Sequence, residues 1–202
     1  MKKSHLLTPK TKSKLVIVLL LVIFLGPFLL AWLLHHQAEH LAFDYTNAGT
    51  LIMPTRSITD LPLVELPAEQ PLNTSQLLGQ WWLTYVPPTS CDTACQRNFY
   101  HMRQIHTSLG KERTRLRRLA LLPEPIKLDI AQLTQRYPQL VIAGCEINAY
   151  QAEFGNWGAP GEQGLFLVAD PLGHFILSYP GDMAPKAILK DLKRLMKFSK
   201  IG

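Results

Sequence analysis

The first hydrophobic feature of the chain is an unbroken apolar run. Residues 15–34 read LVIVLLLVIFLGPFLLAWLL without a charge, and as a helix they span about 30 Å, the thickness of a bilayer's hydrocarbon core. A transmembrane helix is the expectation. Membrane helices tolerate a break such as Gly26-Pro27, and Trp32 falls toward the far end, where an aromatic belt belongs. A cleaved signal peptide has a shorter apolar region and ends at a small-x-small site. His35-His36-Gln37-Ala38-Glu39-His40 offers no such site, so the run reads as a retained anchor.

Past the anchor the pattern loosens and then tightens. Residues 35–75 carry Pro54, Pro62, Pro67 and Pro71 among Asn, Thr and Ser, a composition that favours extended and turn conformations. They read as a linker with one short strand around residues 49–53. Trp81-Trp82-Leu83-Thr84-Tyr85-Val86 is aromatic and β-branched and stops at Pro87-Pro88, which predicts a buried strand followed by a loop. From Cys91 to about Leu109, Phe99, Met102, Ile105 and Leu109 recur at helical spacing before Gly110, a residue that commonly follows a helix.

Residues 115–122 run apolar toward Pro123, Ile130, Leu133 and Tyr137 suggest a second helix, and Leu140-Val141-Ile142 suggests a strand. Residues 145–163, rich in Gly and Asn, read as a long loop. Residues 164–169 and 174–178 flank Asp170-Pro171-Leu172-Gly173, with Pro and Gly where a tight turn wants them, and form a predicted hairpin. The last element starts near Asp182, holds Pro185 in its first turn, and sets Ile188, Leu189, Leu192, Leu195 and Met196 opposite lysines. This order predicts a thioredoxin-like α/β fold: a mixed sheet flanked by helices, preceded by one N-terminal transmembrane helix. The expected division is a basic tail at 1–14, an anchor at 15–34, a linker at 35–75 and the thioredoxin-like domain at 76–202.

Composition sharpens this picture. With 202 residues, 47% hydrophobic and 18% charged, the chain is too apolar for intrinsic disorder, and it has no repeat period of a solenoid. The formal charge of +6 is concentrated in Lys2, Lys3, Lys10, Lys12 and Lys14, ahead of the anchor. The remainder is near neutral, so a nucleic-acid footprint over the domain has no support. Lysines on the N-terminal side place the tail in the cytoplasm by the positive-inside rule and residues 35–202 outside. The expected location is a bacterial inner membrane, crossed once, with the domain in the periplasm, where disulfides persist.

The candidate chemistry is Cys91-Asp92-Thr93-Ala94-Cys95. Thiols four apart lie on one side of a helical turn, and a helix N-terminus stabilises a thiolate, which is both the nucleophile of disulfide exchange and a ligand for soft metals. Disulfide exchange and copper binding both fit. A merely stabilising disulfide would close a very short loop and contribute little by chain entropy. Cys145, in an apolar stretch, reads as a buried residue.

The chain here resembles the Sco/SenC proteins, which assemble the copper site of cytochrome c oxidase subunit II. Trp81–Val86, the Pro87-Pro88-Thr89-Ser90 loop and the CxxxC match in order, with Asn47-Ala48-Gly49-Thr50-Leu51-Ile52 as lead-in and Phe166 to Gly173 as the strand and Asp-Pro turn. Only the CxxxC and this turn are specific. The resemblance implies a membrane-anchored, thioredoxin-like factor acting on the copper-binding oxidase subunit. Two departures stand out. The family's third copper ligand is a histidine about eight residues before the turn aspartate, and Glu162 stands there instead. The family's proline after the first cysteine is replaced by Asp92. A carboxylate suits copper less than imidazole does, which shifts the expectation toward thiol chemistry at Cys91 and Cys95. Copper held by Cys91, Cys95 and Glu162 is the alternative, and a non-catalytic assembly scaffold is the third.

Other candidates have plainer readings. His101, His106 and His174 are expected at the surface, and His35, His36 and His40 at a polar helix end. Lys111, Arg113, Arg115, Arg117 and Arg118 read as a solvated loop and strand edge, with docking to an acidic partner as the sharper alternative. No phosphate loop, G-x-S-x-G elbow or H-E-x-x-H motif is present.

Overall fold

The computed structural model describes residues 9–37, 47–199 and 201. They fall in two compact units, Met1–Thr46 and Asn47–Gly202. The first holds helix α1 (Pro9–Gln37), with Pro27 inside it. Its stretch Val16–Leu33 is long and apolar enough to cross a membrane, and none of it is buried against protein. Side chains such as Phe24 and Phe28 stand fully out from the helix.

The second unit contains β1 (Thr50–Ser57), β2 (Val64–Glu65), β3 (Gln70–Pro71), β4 (Trp81–Val86), α2 (Thr93–Ser108), β5 (Leu116–Glu124), α3 (Ile130–Arg136), β6 (Leu140–Glu146), α4 (Ile147–Phe154), β7 (Leu165–Ala169), β8 (His174–Pro180) and α5 (Pro185–Phe198). The strands form one sheet in the order β1-β8-β7-β4-β5-β6-β2-β3. β4, β5 and β6 run parallel, joined by helical crossovers, while β7 and β8 add the antiparallel half. From β4 onward the expected order of strand, helix, strand, helix, strand, hairpin and helix is observed, with α4 added between β6 and β7.

Alternation along the central strands divides the core into two layers. Trp81, Leu83 and Tyr85 of β4 join Phe99, Met102 and Ile105 of α2 and Ile188, Leu192 and Met196 of α5 on one face. Trp82 and Val86 join Leu167 and Phe175 on the other. All six residues of β4 are buried, as a strand covered on both faces requires.

The second face corrects the expected linker. Residues 50–57 are not an isolated strand but the sheet's edge, paired antiparallel with β8. Ile52, Ile58, Leu61, Leu63, Leu72 and Leu77 supply much of the second core layer. Between the short paired strands β1, β2 and β3 the segment is irregular, and single hydrogen bonds fasten it: Ile58 N–H to Gly173 O at 2.8 Å, Gly79 N–H to Pro171 O at 2.7 Å, and the Trp82 indole N–H to Leu77 O at 2.7 Å. Residues 145–163 are also corrected. Most of this stretch is α4 followed by a 3-10 turn over Gly155–Gly158, and Tyr150 and Phe154 of α4 complete the second layer.

The ends of the domain are fastened together. The buried Asp191 of α5 accepts the N–H groups of Ala48 at 2.7 Å and Gly49 at 3.1 Å, and the Tyr179 hydroxyl at 3.1 Å. A side chain at Gly49 would overlap the Tyr179 ring, 2.6 Å from its position. Arg115 closes the other end of α5, donating to Met196 O at 3.1 Å, Ser199 O at 2.9 Å and Ile201 O at 2.8 Å.

Candidate functional site: a disulfide at the amino end of a helix

Cys91 lies just outside α2, which begins at Thr93 rather than at the first cysteine. Asp92 is the reason. Its extended backbone makes it the N-cap, and its side chain accepts the Cys95 N–H at 2.9 Å, the arrangement an aspartate provides at a helix start. The cap turns the chain so that Cys91 folds back on the first turn, and the two sulfurs are bonded, with Cα atoms 5.1 Å apart. Cys95 is fully buried and Cys91 is half-buried, so Cys91 is the sulfur a partner can reach.

Two loops flank the disulfide. On the β5 side Ser90 pairs with Lys127, whose N–H donates to Thr89 O at 3.1 Å. On the β7 side the turn at 161–164 is tied to the cysteine helix by a polar cluster that sequence reading missed. Asn98 is buried on α2, and its side-chain amide donates to Gln163 O at 2.9 Å and Gly181 O at 3.0 Å and lies 3.3 Å from the Tyr85 hydroxyl. Tyr85 donates to the same Gln163 carbonyl at 2.8 Å. Burial pushes the Tyr85 phenol up to about 12, with the Asn98 hydrogen bond opposing and the Asp92 charge adding. The turn requires glycine at 164, where φ is +82° and a Cβ would lie 2.6 Å from Val86 O. The only sequence signal for this cluster was a polar Asn inside the apolar stripe of α2.

The remaining candidates are dispersed. Glu162 is exposed in the turn before β7. Among the described residues no group of three His, Cys, Asp or Glu side chains could hold a metal ion. The donors present are two sulfurs bonded to each other, and they do not amount to the three-ligand copper set that the resemblance implies. Half-buried His101 has its pKa lowered by burial and by Arg97. His106 is not a surface residue: it is half-buried, with Nε2 3.1 Å from Leu116 O, and its pKa is lowered by burial and by Arg118. His174 lies at the hairpin, Nδ1 3.7 Å from Asp170 Oδ2. His35 and His36 are in the last turn of α1, and His40 lies outside the described residues.

The basic run is corrected too, because it leads into an interior strand rather than an edge. Arg118 is buried, Arg117 stacks 5.3 Å from the Trp82 ring, and Arg115 holds the end of α5. Cys145 is buried on β6 as expected, and burial, with the Glu124 charge adding, pushes its thiol up to about 12.

A half-buried cysteine ahead of a helix, a buried partner in its first turn, and a sheet of parallel crossovers with an antiparallel hairpin define a thioredoxin-like protein. Residues 81–199 match the family described as "Transmembrane-like, thioredoxin-like, C-terminal domain", and the chain belongs to that family.

Solved structures agree on the fold. Apo Sco1 from Thermus thermophilus is similar at 19% identity, with 76% of this chain and 99% of that chain covered and a TM-score of 0.55. Yeast Sco1 with copper bound is similar at 12% identity, covering 75% and 93%, with a TM-score of 0.56. A SCO1/SenC family lipoprotein from Bacillus anthracis shares 16% identity over 77% and 99%, with a TM-score of 0.51. The Sco-like architecture read from the sequence is therefore the observed one. A comparison with curated protein sequences found no match.

Proposed function

We propose that this chain is a membrane-anchored, extracytoplasmic thiol-disulfide exchange factor of cytochrome c oxidase biogenesis, acting on the copper-site cysteines of the oxidase's copper-binding subunit. The observation that carries the proposal is the cysteine pair itself: a reachable Cys91 and a buried Cys95 at the start of α2, in a Sco-like fold. The lysines ahead of the apolar run favour a cytoplasmic tail and a periplasmic domain.

In the exchange, the Cys91 thiolate attacks one sulfur of the partner's disulfide and releases the other as a thiolate. Cys95, once deprotonated, attacks Cys91 Sγ, forms the Cys91–Cys95 disulfide and releases the second partner thiolate. The partner gains two electrons and the pair loses two, to be restored by a dithiol donor protein. The free N–H groups and dipole of the first turn of α2 favour both thiolates.

The test is a trap. Cys95→Ser cannot resolve the intermediate and is expected to accumulate a mixed disulfide with the copper-binding subunit on non-reducing gels, which Cys91→Ser abolishes. No adduct, with oxidase assembly intact in both variants, would overturn the reading. If the double variant Cys91→Ser/Cys95→Ser were silent in assembly, a scaffold role would stand in its place.

Copper delivery is the reading suggested by the copper-bound yeast Sco1. Against it stands a donor set of two sulfurs with an exposed Glu162. Copper(I) titration of the reduced full chain separates the two. One tight equivalent that needs both cysteines and weakens in Glu162→Ala would support delivery.

A further inference from the structure

The carboxyl ends of β5 and β6 open into a cavity of 690 Å³ that the cysteine chemistry above does not use. Its apolar wall is made by half-buried Leu66, Ile126, Leu128 and Ile147. Its polar rim includes Glu124 and Glu146, direct register partners on the two parallel strands. Both are exposed, and among the described residues neither carboxylate takes part in a side-chain hydrogen bond or ion pair. Two like charges side by side on neighbouring strands repel, and among the described residues no ion pair offsets them. The cavity wall is linked to the redox site through the backbone: Lys127, between Ile126 and Leu128, forms a bridge with Ser90, the neighbour of Cys91.

We infer that this groove is the docking site for the partner segment that carries the reacting cysteine, and that this segment is apolar with a lysine or arginine beside the cysteine. The inference rests on the thiol-exchange reading. Aliphatic side chains of the segment fill the Leu66, Ile126, Leu128 and Ile147 wall, its cation sits between Glu124 and Glu146, and its cysteine is thereby held over Cys91. Complementary charge of this kind orients encounter and selects partners more than it adds raw affinity.

The probes are two synthetic peptides, each closed by a single intramolecular disulfide within apolar flanks, one carrying two arginines and the other two glutamates. Reduced full-length protein in detergent is mixed with each, and the ratio of reduction rates is divided by the ratio obtained with dithiothreitol alone. The expected ratio favours the arginine peptide about fivefold at low salt and shrinks as salt is added. Glu124→Gln/Glu146→Gln is expected to bring it near one, and Glu146→Lys to lower it below the double variant's.

A ratio of one in the wild type, or a ratio unchanged in the variants, would overturn the groove assignment while leaving thiol exchange standing. Hydroxyethyl disulfide reports on the other premise. If the wild-type protein fails to reduce that small disulfide, thiol exchange itself falls, and the groove's role with it.

Discussion

Asn98 and Gln163 are 65 residues apart in sequence, yet the Asn98 side-chain amide donates to the Gln163 backbone carbonyl at 2.9 Å. That bond ties the helix bearing Cys95 to the turn bearing Glu162. Asn98 lies one helical turn beyond Cys95, so whatever loosens the bond loosens the frame around the disulfide.

Asn98→Ala removes the amide and leaves Gln163 O and Gly181 O short of a buried donor. The expected cost is about 2–3 kcal/mol, since an unsatisfied buried group costs more than a hydrogen bond gains. Urea unfolding of the full chain in detergent checks it, and a change below 0.5 kcal/mol, roughly the floor for one hydrogen bond, would contradict the assignment.

Tyr85→Phe keeps the ring packing and loses the bond to Gln163 O, an expected loss of about 1 kcal/mol. The pH dependence has a definite sign. The folded phenol titrates near 12 against an ordinary 10, so its contribution is full below pH 10 and disappears as pH rises toward 12. Alkaline unfolding curves of wild type and Tyr85→Phe should converge over that interval.

His106 acts in the opposite range. Its folded pKa lies below the ordinary 6.5, so the unfolded chain takes up its proton first as pH falls. Stability is therefore full above pH 6.5 and declines on acidification. In His106→Gln the slope of melting temperature against pH below neutrality should flatten, whatever the variant's absolute stability.

Cysteine reactivity should rank with accessibility and thiolate fraction. After mild reduction of the native protein, iodoacetamide is expected to modify Cys91 first. Cys145, buried and with its pKa pushed to about 12, should label only on unfolding. Mass spectrometry of the alkylated peptides gives the order, and early labelling of Cys145 would contradict its placement.

The strand over Trp81–Val86, the hairpin around Asp170 and the α5 stripe were legible because each carries a local period or a turn signature. Residues 50–77 were not. Their apolar side chains fall on and between strands of two to eight residues broken by prolines and turns, so only the assembled sheet shows that Ile52, Ile58 and Leu77 belong to one layer. Residues 147–158 were misread for a related reason: α4 spans eight residues with a Gly-rich exit, too short for periodicity to outweigh composition. Cys91 and Cys95 stood out as a motif. Asp92 could have been read as a helix cap, which would have moved the start of α2 by two residues. Asn98 left only the trace of a polar residue inside the apolar stripe of α2, and the Glu124 and Glu146 pair depends on strand register and left none.

The Asp191 clamp has a mechanical consequence. Any tension passed along the chain from its N-terminal side enters the domain at Ala48 and Gly49, where it meets a carboxylate seated in the last helix. The pull is first shared between β1, β8 and α5, none of which carries the disulfide. Asp191→Asn, which weakens the charge-assisted bonds to Ala48 and Gly49, should lower the force needed to peel β1 from β8 in a single-molecule pull from the N-terminal side, while leaving the cysteines' chemistry in place.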